Sequence, residues 1–275
     1  MALKDILTPI LSVGKDEAAL AAAETIAETH DARITALLIE VEPDPVYEGD
    51  MVSGAWADML AKAREEFKAE KKQLDARAAK AARPIATRER KVTGGFIGRD
   101  AGIEARYADL TVMLRPGQAS QEDLRTTMFE GVLFGSGRPL LLVPPEWRDA
   151  IGRNIVIAWN GKREAARALA DADPFLARAQ KITIVAAASS EREAGSQAAA
   201  DAAQHLARRS VEAEFRVVND PHLGEAKTLF AEADALGADL VVMGGYGRSR
   251  LGEYIFGGVT HEAVKSARIP LFMSH

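Results

Sequence analysis

Three segments of the chain recur in the same order. "LKDILTPIL" (3–11) is matched by "GRNIVIAWN" (152–160), "ADLTVML" (108–114) by "ADLVVMG" (238–244), and "FEGVLFGSGRPLLLVPP" (129–145) by "FGGVTHEAVKSARIPLFMS" (256–274). The first pair is a charged entry to a short apolar strand that stops at a turn. The second shares its opening Ala-Asp-Leu, and the third is an amphipathic stretch followed by Arg, a proline and a closing apolar strand. Ordered self-similarity of this kind means that the chain is built from two copies of one unit, 1–146 and 152–275. The joint lies at "PPEWRDAIG" (144–152), where two prolines interrupt any continuous element.

In the second copy strands and helices alternate. "NIVIAW", "KITIVAAA", "VEAEFRVV", "ADLVVM" and "IPLFM" have strand length and composition, and the Ala- and Leu-rich stretches between them repeat at helical spacing. Near-continuous apolar strands separated by helices imply a parallel sheet covered on both faces. The expected fold class is therefore α/β, with two tandem five-stranded parallel-sheet α/β sandwich domains. The first copy follows the same plan with one enlargement, a long charged helix over 56–83. Its Glu66 and Glu70 beside Lys62, Lys68 and Lys72 predict a solvated face of ion pairs worth about 0.2–0.5 kcal/mol each. Apolar edge strands need covering, so the two copies are expected to pair across "PLLLV" and "IPLFM"; a homodimer is a further expectation.

Composition removes several function classes. The 275 residues carry a net charge of −5, which gives no basic excess for nucleic acid. The absence of cysteine excludes disulfides, thiolate metal sites and cysteine nucleophiles. Apolar residues at 47% and charged residues at 27% describe a globular protein. No stretch approaches eighteen uncharged apolar residues, so no membrane span is expected, and charges arrive too early for a signal peptide; the expected location is cytoplasmic.

The segment that carries candidate chemistry is "GGYGRSRLGEYIFGG" (244–258), directly after the strand "ADLVVM". Ligands in open parallel sheets sit beyond the carboxyl ends of strands. Glycines there allow main-chain N–H groups to approach a phosphate, and the helix that follows 257–258 favours an anion at its N-terminus. Arg248 and Ser249 would add charge-assisted bonds. On spacing alone a tight turn with a close helix contact is favoured over a phosphate loop. The pattern is neither the P-loop nor the dinucleotide fingerprint.

The spacing Gly-x2-Gly-x9-Gly at Gly244, Gly247 and Gly257, after "VVMG" and before an "IPL" strand, resembles the nucleotide-binding signature of the universal stress protein family. "IVIAWNGKREAARALADA" is similar to that family's first strand and helix, and the two-copy layout resembles its tandem members. The resemblance implies an adenine nucleotide alpha hydrolase-like, universal stress protein-like fold, paired domains, a role in stress survival, and bound ATP or AMP in some members. Carried onto this chain, the candidate site is Asn160, Met243, Gly244, Gly247, Arg248, Ser249, Gly257, Gly258, Val259 and Thr260. Two departures stand out. The family has Ser or Thr after its third glycine, where this chain has Gly258. The acidic residue after the first strand is Asn160, which keeps hydrogen-bonding capacity but offers no carboxylate to a metal, so magnesium is not expected.

The first copy has lost the signature: Leu114, Arg115, Pro116 and Gly117 stand at the corresponding place, and proline removes an N–H. That half is expected to be empty of nucleotide. No two histidines have metal-ligand spacing. Asp220 reads as a turn former before Pro221, and Trp159 and Tyr246 flank the crevice as either stacking or core aromatics. Nothing nominates a nucleophile or a base, which favours a binding and regulatory protein over an enzyme. Two other readings stay open, a scaffold that binds no nucleotide and a slow ATPase.

Overall fold

A computed structural model describes residues 2–45, 47–48, 51–52, 54–117, 124–187, 192–220, 222–245, 262–265 and 267–275. The chain divides into two compact units, Leu3–Arg138 and Pro139–His275.

In the N-terminal unit the order is β1 (Asp5–Ile10), α1 (Val13–His30), β2 (Arg33–Glu42), two short strands β3 (Tyr47–Glu48) and β4 (Met51–Val52), α2 (Gly54–Ala78), β5 (Ile85–Thr93), α3 (Ile97–Ala105), β6 (Leu110–Leu114) and α4 (Leu124–Gly135). Its parallel sheet runs β5-β2-β1-β6. β1 pairs with β6 at Ile6 and Leu7, ahead of Pro9, which has no N–H for a ladder.

The C-terminal unit contains β7 (Leu140–Val143), β8 (Asn154–Ala158), α5 (Arg163–Asp171), α6 (Asp173–Leu176), β9 (Lys181–Ala187), α7 (Arg192–Ala207), β10 (Glu214–Val218), α8 (Glu225–Ala235), β11 (Leu240–Gly244) and β12 (Leu271–Ser274). The order β10-β9-β8-β11-β12 is parallel throughout, and β7 adds to β12 antiparallel, with Leu271 opposite Leu142 and Met273 opposite Leu140. The closing strand of the first sequence copy thus belongs to the second compact unit. Both sheets are cored by fully buried Ile, Leu and Val, such as Ile6, Leu37 and Leu110 in one and Ile155, Val241 and Leu271 in the other.

The repeated Ala-Asp-Leu has a structural cause. Asp109, just before β6, accepts the N–H groups of Lys4 and Asp5 at 2.8 and 3.0 Å. Asp239, just before β11, accepts those of Gly152, Arg153 and Asn154 at 2.9, 3.0 and 3.1 Å. Each carboxylate caps the exposed donors at the entry of the neighbouring central strand. Burial pushes the Asp239 carboxyl above its usual range, against the pull of those N–H bonds from Asn154, Arg153 and Gly152.

Two further local features are set by residue choice. Along α2 the less exposed positions are Trp56, Leu60, Ala63, Phe67, Glu70, Leu74 and Arg77, alternating four and three apart as on one face of a helix. The remaining faces are solvated, and Lys62 pairs with Glu66 at 3.7 Å. Glu70 departs from the expected solvated pairing: its carboxylate accepts Ser12 Oγ at 3.0 Å and the Val13 N–H at 2.7 Å, capping α1. Helices α3 and α4 meet through glycine. A Cβ on Gly131 would stand 2.0 Å from the Gly98 carbonyl oxygen, and one on Gly102 2.4 Å from that of Gly131.

Candidate functional site

The chain runs from β8 to β9 on one side and from β11 to β12 on the other, so the order reverses between β8 and β11. That reversal opens a crevice at the carboxyl ends of these two strands, where ligands of such sheets sit. Trp159, Asn160 and Gly161 follow β8 there; Gly244 ends β11 and Gly245 follows it.

Asn160 is exposed, and its Oδ1 accepts the Lys162 N–H at 3.0 Å, a turn that leads the chain into α5. Its side-chain NH2 has no partner among the described residues. Trp159 donates its backbone N–H to the Val185 carbonyl at 2.9 Å. Its indole Nε1 is shielded from solvent and has no partner among the described residues. Met243 is 4% exposed and stands opposite Met273 in the sheet, so its side chain is part of the core. At Gly244 a Cβ would lie 2.5 Å from the Ala165 nitrogen and 2.5 Å from the Glu164 carbonyl carbon. This glycine is needed for α5 to lie directly on β11. The Gly245 N–H bonds the Ser274 carbonyl at 2.8 Å, and His275 Nδ1 lies 2.9 Å from the Gly245 carbonyl. Gly247, Arg248, Ser249, Gly257, Gly258, Val259 and Thr260 lie outside the described residues, as do Tyr246 and His261.

Sequence reading missed the surroundings of α5. A cleft of about 370 Å³ is lined by Arg163, Glu164, Arg167 and His275. Glu164 is 5% exposed and bonded to Arg163 at 2.5 Å, while Arg167 pairs with Asp171 at 2.7 Å. Burial pushes the Glu164 carboxyl upward. The Arg163 hydrogen bond, its own backbone N–H and the charges of Arg163 and His275 outweigh that and hold it below the usual carboxylate range. The pairing of adjacent residues gives no periodic signal from which it is legible in advance.

The first copy is different at the corresponding place. Register pairs Ile6 with Leu110 and Ile155 with Leu240, which aligns the copies so that Asp16 and Leu114 stand where the second has Ala165 and Gly244. Asp16 is fully buried. Its Oδ2 accepts the Leu11 and Ser12 N–H groups at 2.9 and 3.0 Å, and Arg125 of α4 grips both carboxylate oxygens, with Nη2 3.2 Å from Oδ2. Arg125 is itself 9% exposed. Asp220 forms the expected turn, with Oδ1 accepting the His222 N–H at 2.9 Å. Among the described residues no group of three His, Asp or Glu is placed to hold a metal, and no helix is long and apolar enough to cross a membrane.

The family model described as the universal stress protein family matches residues 152–275. Among solved structures, a universal stress protein from Archaeoglobus fulgidus DSM 4304 superposes with a TM-score of 0.71 at 12% identity, covering 98% of this chain and 97% of that one. A functionally unknown protein from Pseudomonas aeruginosa PAO1 follows at 0.60 and 15%, covering 99% and 92%. At such identities the likeness establishes the fold. No curated protein matches the chain. Residues 152–275 therefore form a domain of the universal stress protein family, and the whole-chain fold fits a tandem arrangement of that domain.

Proposed function

We propose that this chain is a stress-response protein whose C-terminal unit binds an adenine nucleotide, ATP or AMP, in the crevice between β8 and β11. One contrast carries the reading. In the N-terminal unit the amides that follow the first strand are filled by Asp16 and backed by Arg125. In the C-terminal unit Ala165 stands at that position, and no carboxylate among the described residues bonds the Asn160 and Gly161 amides. Trp159, at the end of β8, has an Nε1 with no partner among the described residues and is a second donor for an acceptor.

In this reading the main-chain N–H groups of Gly247, Gly257 and Gly258 hold the phosphates. Arg248 and Ser249 add charge-assisted bonds, and Asn160 receives the base or ribose. Val259 and Thr260 flank the nucleotide, while the Met243 side chain stays in the core beneath it. A missing hydroxyl at position 258 removes about 1.5–3 kcal/mol for a bond to a charged group, against about 8 kcal/mol in a micromolar site; binding is weakened and survives. Asn160 offers magnesium no carboxylate, so the nucleotide binds without an obligatory metal. The role is binding and regulation, with the paired copies, a homodimer and a cytoplasmic location as further parts of the proposal.

The test is native mass spectrometry of the purified protein for a co-purifying adenine nucleotide, followed by isothermal titration with ATP and AMP. Saturable heat that is lost in Gly247→Val, with the fold retained by circular dichroism, supports the reading. No heat at millimolar nucleotide favours a scaffold acting through protein contacts, a reading that the helix contact of Gly244 also suits.

A further inference from the structure

We infer that the Asp16 carboxylate is a built-in occupant of an anion cradle at the carboxyl end of β1, so that the N-terminal unit is closed to external anions by its own side chain. Two successive main-chain donors define the cradle, and a third beside them is met by a separate carboxylate. The Leu11 and Ser12 N–H groups bond Asp16 Oδ2 at 2.9 and 3.0 Å, and the Val13 N–H bonds Glu70 Oε2 at 2.7 Å. The Leu11 and Ser12 amides converge on one oxygen just ahead of an eighteen-residue helix, the kind of arrangement that takes an oxyanion elsewhere. A guanidinium from a different element, Arg125 of α4, completes the donor set.

Burial makes the arrangement more than a helix cap. Asp16 is 0% and Arg125 9% exposed, and neither charge tolerates that depth without the other. The crevice has the donors of an anion site and already contains an anion. The loss of the glycine signature in this copy is therefore accompanied by a replacement for the ligand, and the closed crevice keeps α1, α2 and α4 tied together through Glu70, Asp16 and Arg125. The inference concerns the N-terminal unit and stands whether or not the C-terminal unit takes a nucleotide.

Removing the carboxylate opens the cradle to a small one. In the full-length Asp16→Ala protein the urea midpoint falls, and sodium formate restores it saturably, beyond sodium chloride at equal ionic strength. A formate dissociation constant of about 10 mM raises the folded-to-unfolded ratio about elevenfold at about 100 mM. The Leu11 and Ser12 amide resonances shift with formate in Asp16→Ala and stay fixed in the parent chain. In Asp16→Ala with Arg125→Met the rescue disappears. If Asp16→Ala fails to fold, refolding in formate but not chloride is the same result. Equal action of chloride and formate, rescue that persists without Arg125, unmoved amides, or refolding in neither salt each overturns the inference.

Discussion

Substitution of Gly131 by alanine isolates the contact between α3 and α4. The new Cβ would lie 2.0 Å from the Gly98 carbonyl oxygen, 2.3 Å from its carbon and 2.4 Å from its Cα. Non-bonded heavy atoms settle at about 3.5–4.0 Å, so the helices must part by about 1 Å or more, and a gap of that size forfeits a quarter to a half of each neighbouring dispersion contact. The obstacle is backbone on both sides and has no rotamer to turn away. Overpacking of this sort costs about 1–3 kcal/mol, and the rigid partner places it near the upper end. Alanine returns about 1 kcal/mol of helix propensity, leaving a net loss of about 2 kcal/mol. With a urea m-value of about 2 kcal/mol/M for a unit of this size, the midpoint drops by about 1 M. Gly14→Ala is the control: it lies in α1 with no atom within 4 Å of the added carbon, and its midpoint holds or rises. A Gly131→Ala midpoint equal to that of Gly14→Ala would refute the close-contact reading.

Two further outcomes follow from the C-terminal unit. Gly244→Ala meets the Ala165 nitrogen and the Glu164 carbonyl carbon at 2.5 Å with no helix propensity to offset the clash; a loss of about 1–3 kcal/mol is expected in urea unfolding, and an unchanged midpoint would mean that α5 does not need that space. Glu164 ionises more readily in the fold than its ordinary 4.5, so its stabilisation is complete above about pH 4.5 and is lost as pH falls through the lower folded value. Arg163→Gln removes its main partner; since Arg163 is largely solvent-exposed, the loss at pH 7 is about 0.5–1 kcal/mol, and the acid limb of the stability–pH profile becomes shallower. An unaltered limb counts against the pairing.

What could be read in advance follows the range of the interactions. The strands and their parallel order were legible because apolar runs and helical repeats are local patterns. The Ala-Asp-Leu echo was legible as a repetition, although its cause, a carboxylate capping the next strand, emerges only when β6 lies beside β1. The long helix over 56–83 was visible from its charge, with its actual bounds Gly54–Ala78, whereas Glu70 was misassigned to a solvated face because Ser12 lies 58 residues away. Asp16 and Arg125 are 109 residues apart and carried no local signal. The space beside Gly131 is taken by α3, a packing demand that depends on a contact with Gly98 and left no local signal. At Gly244 the structure supplies a packing demand that glycine spacing alone left open, and the candidate residues at 247–249 and 257–260 rest on sequence.

The two capping aspartates also bear on the order in which the chain can acquire structure. Asp109 reaches back 105 residues to Lys4, and Asp239 87 residues to Gly152. Closing spans of this length is slow, because the entropy of a long connection is surrendered before the contact repays it. On a ribosome, β1 would wait unsealed until almost the whole first unit had emerged, and β8 would wait in the same way for β11. Nascent chains halted before Asp109 should accordingly be digested by protease far faster than chains released just beyond α4.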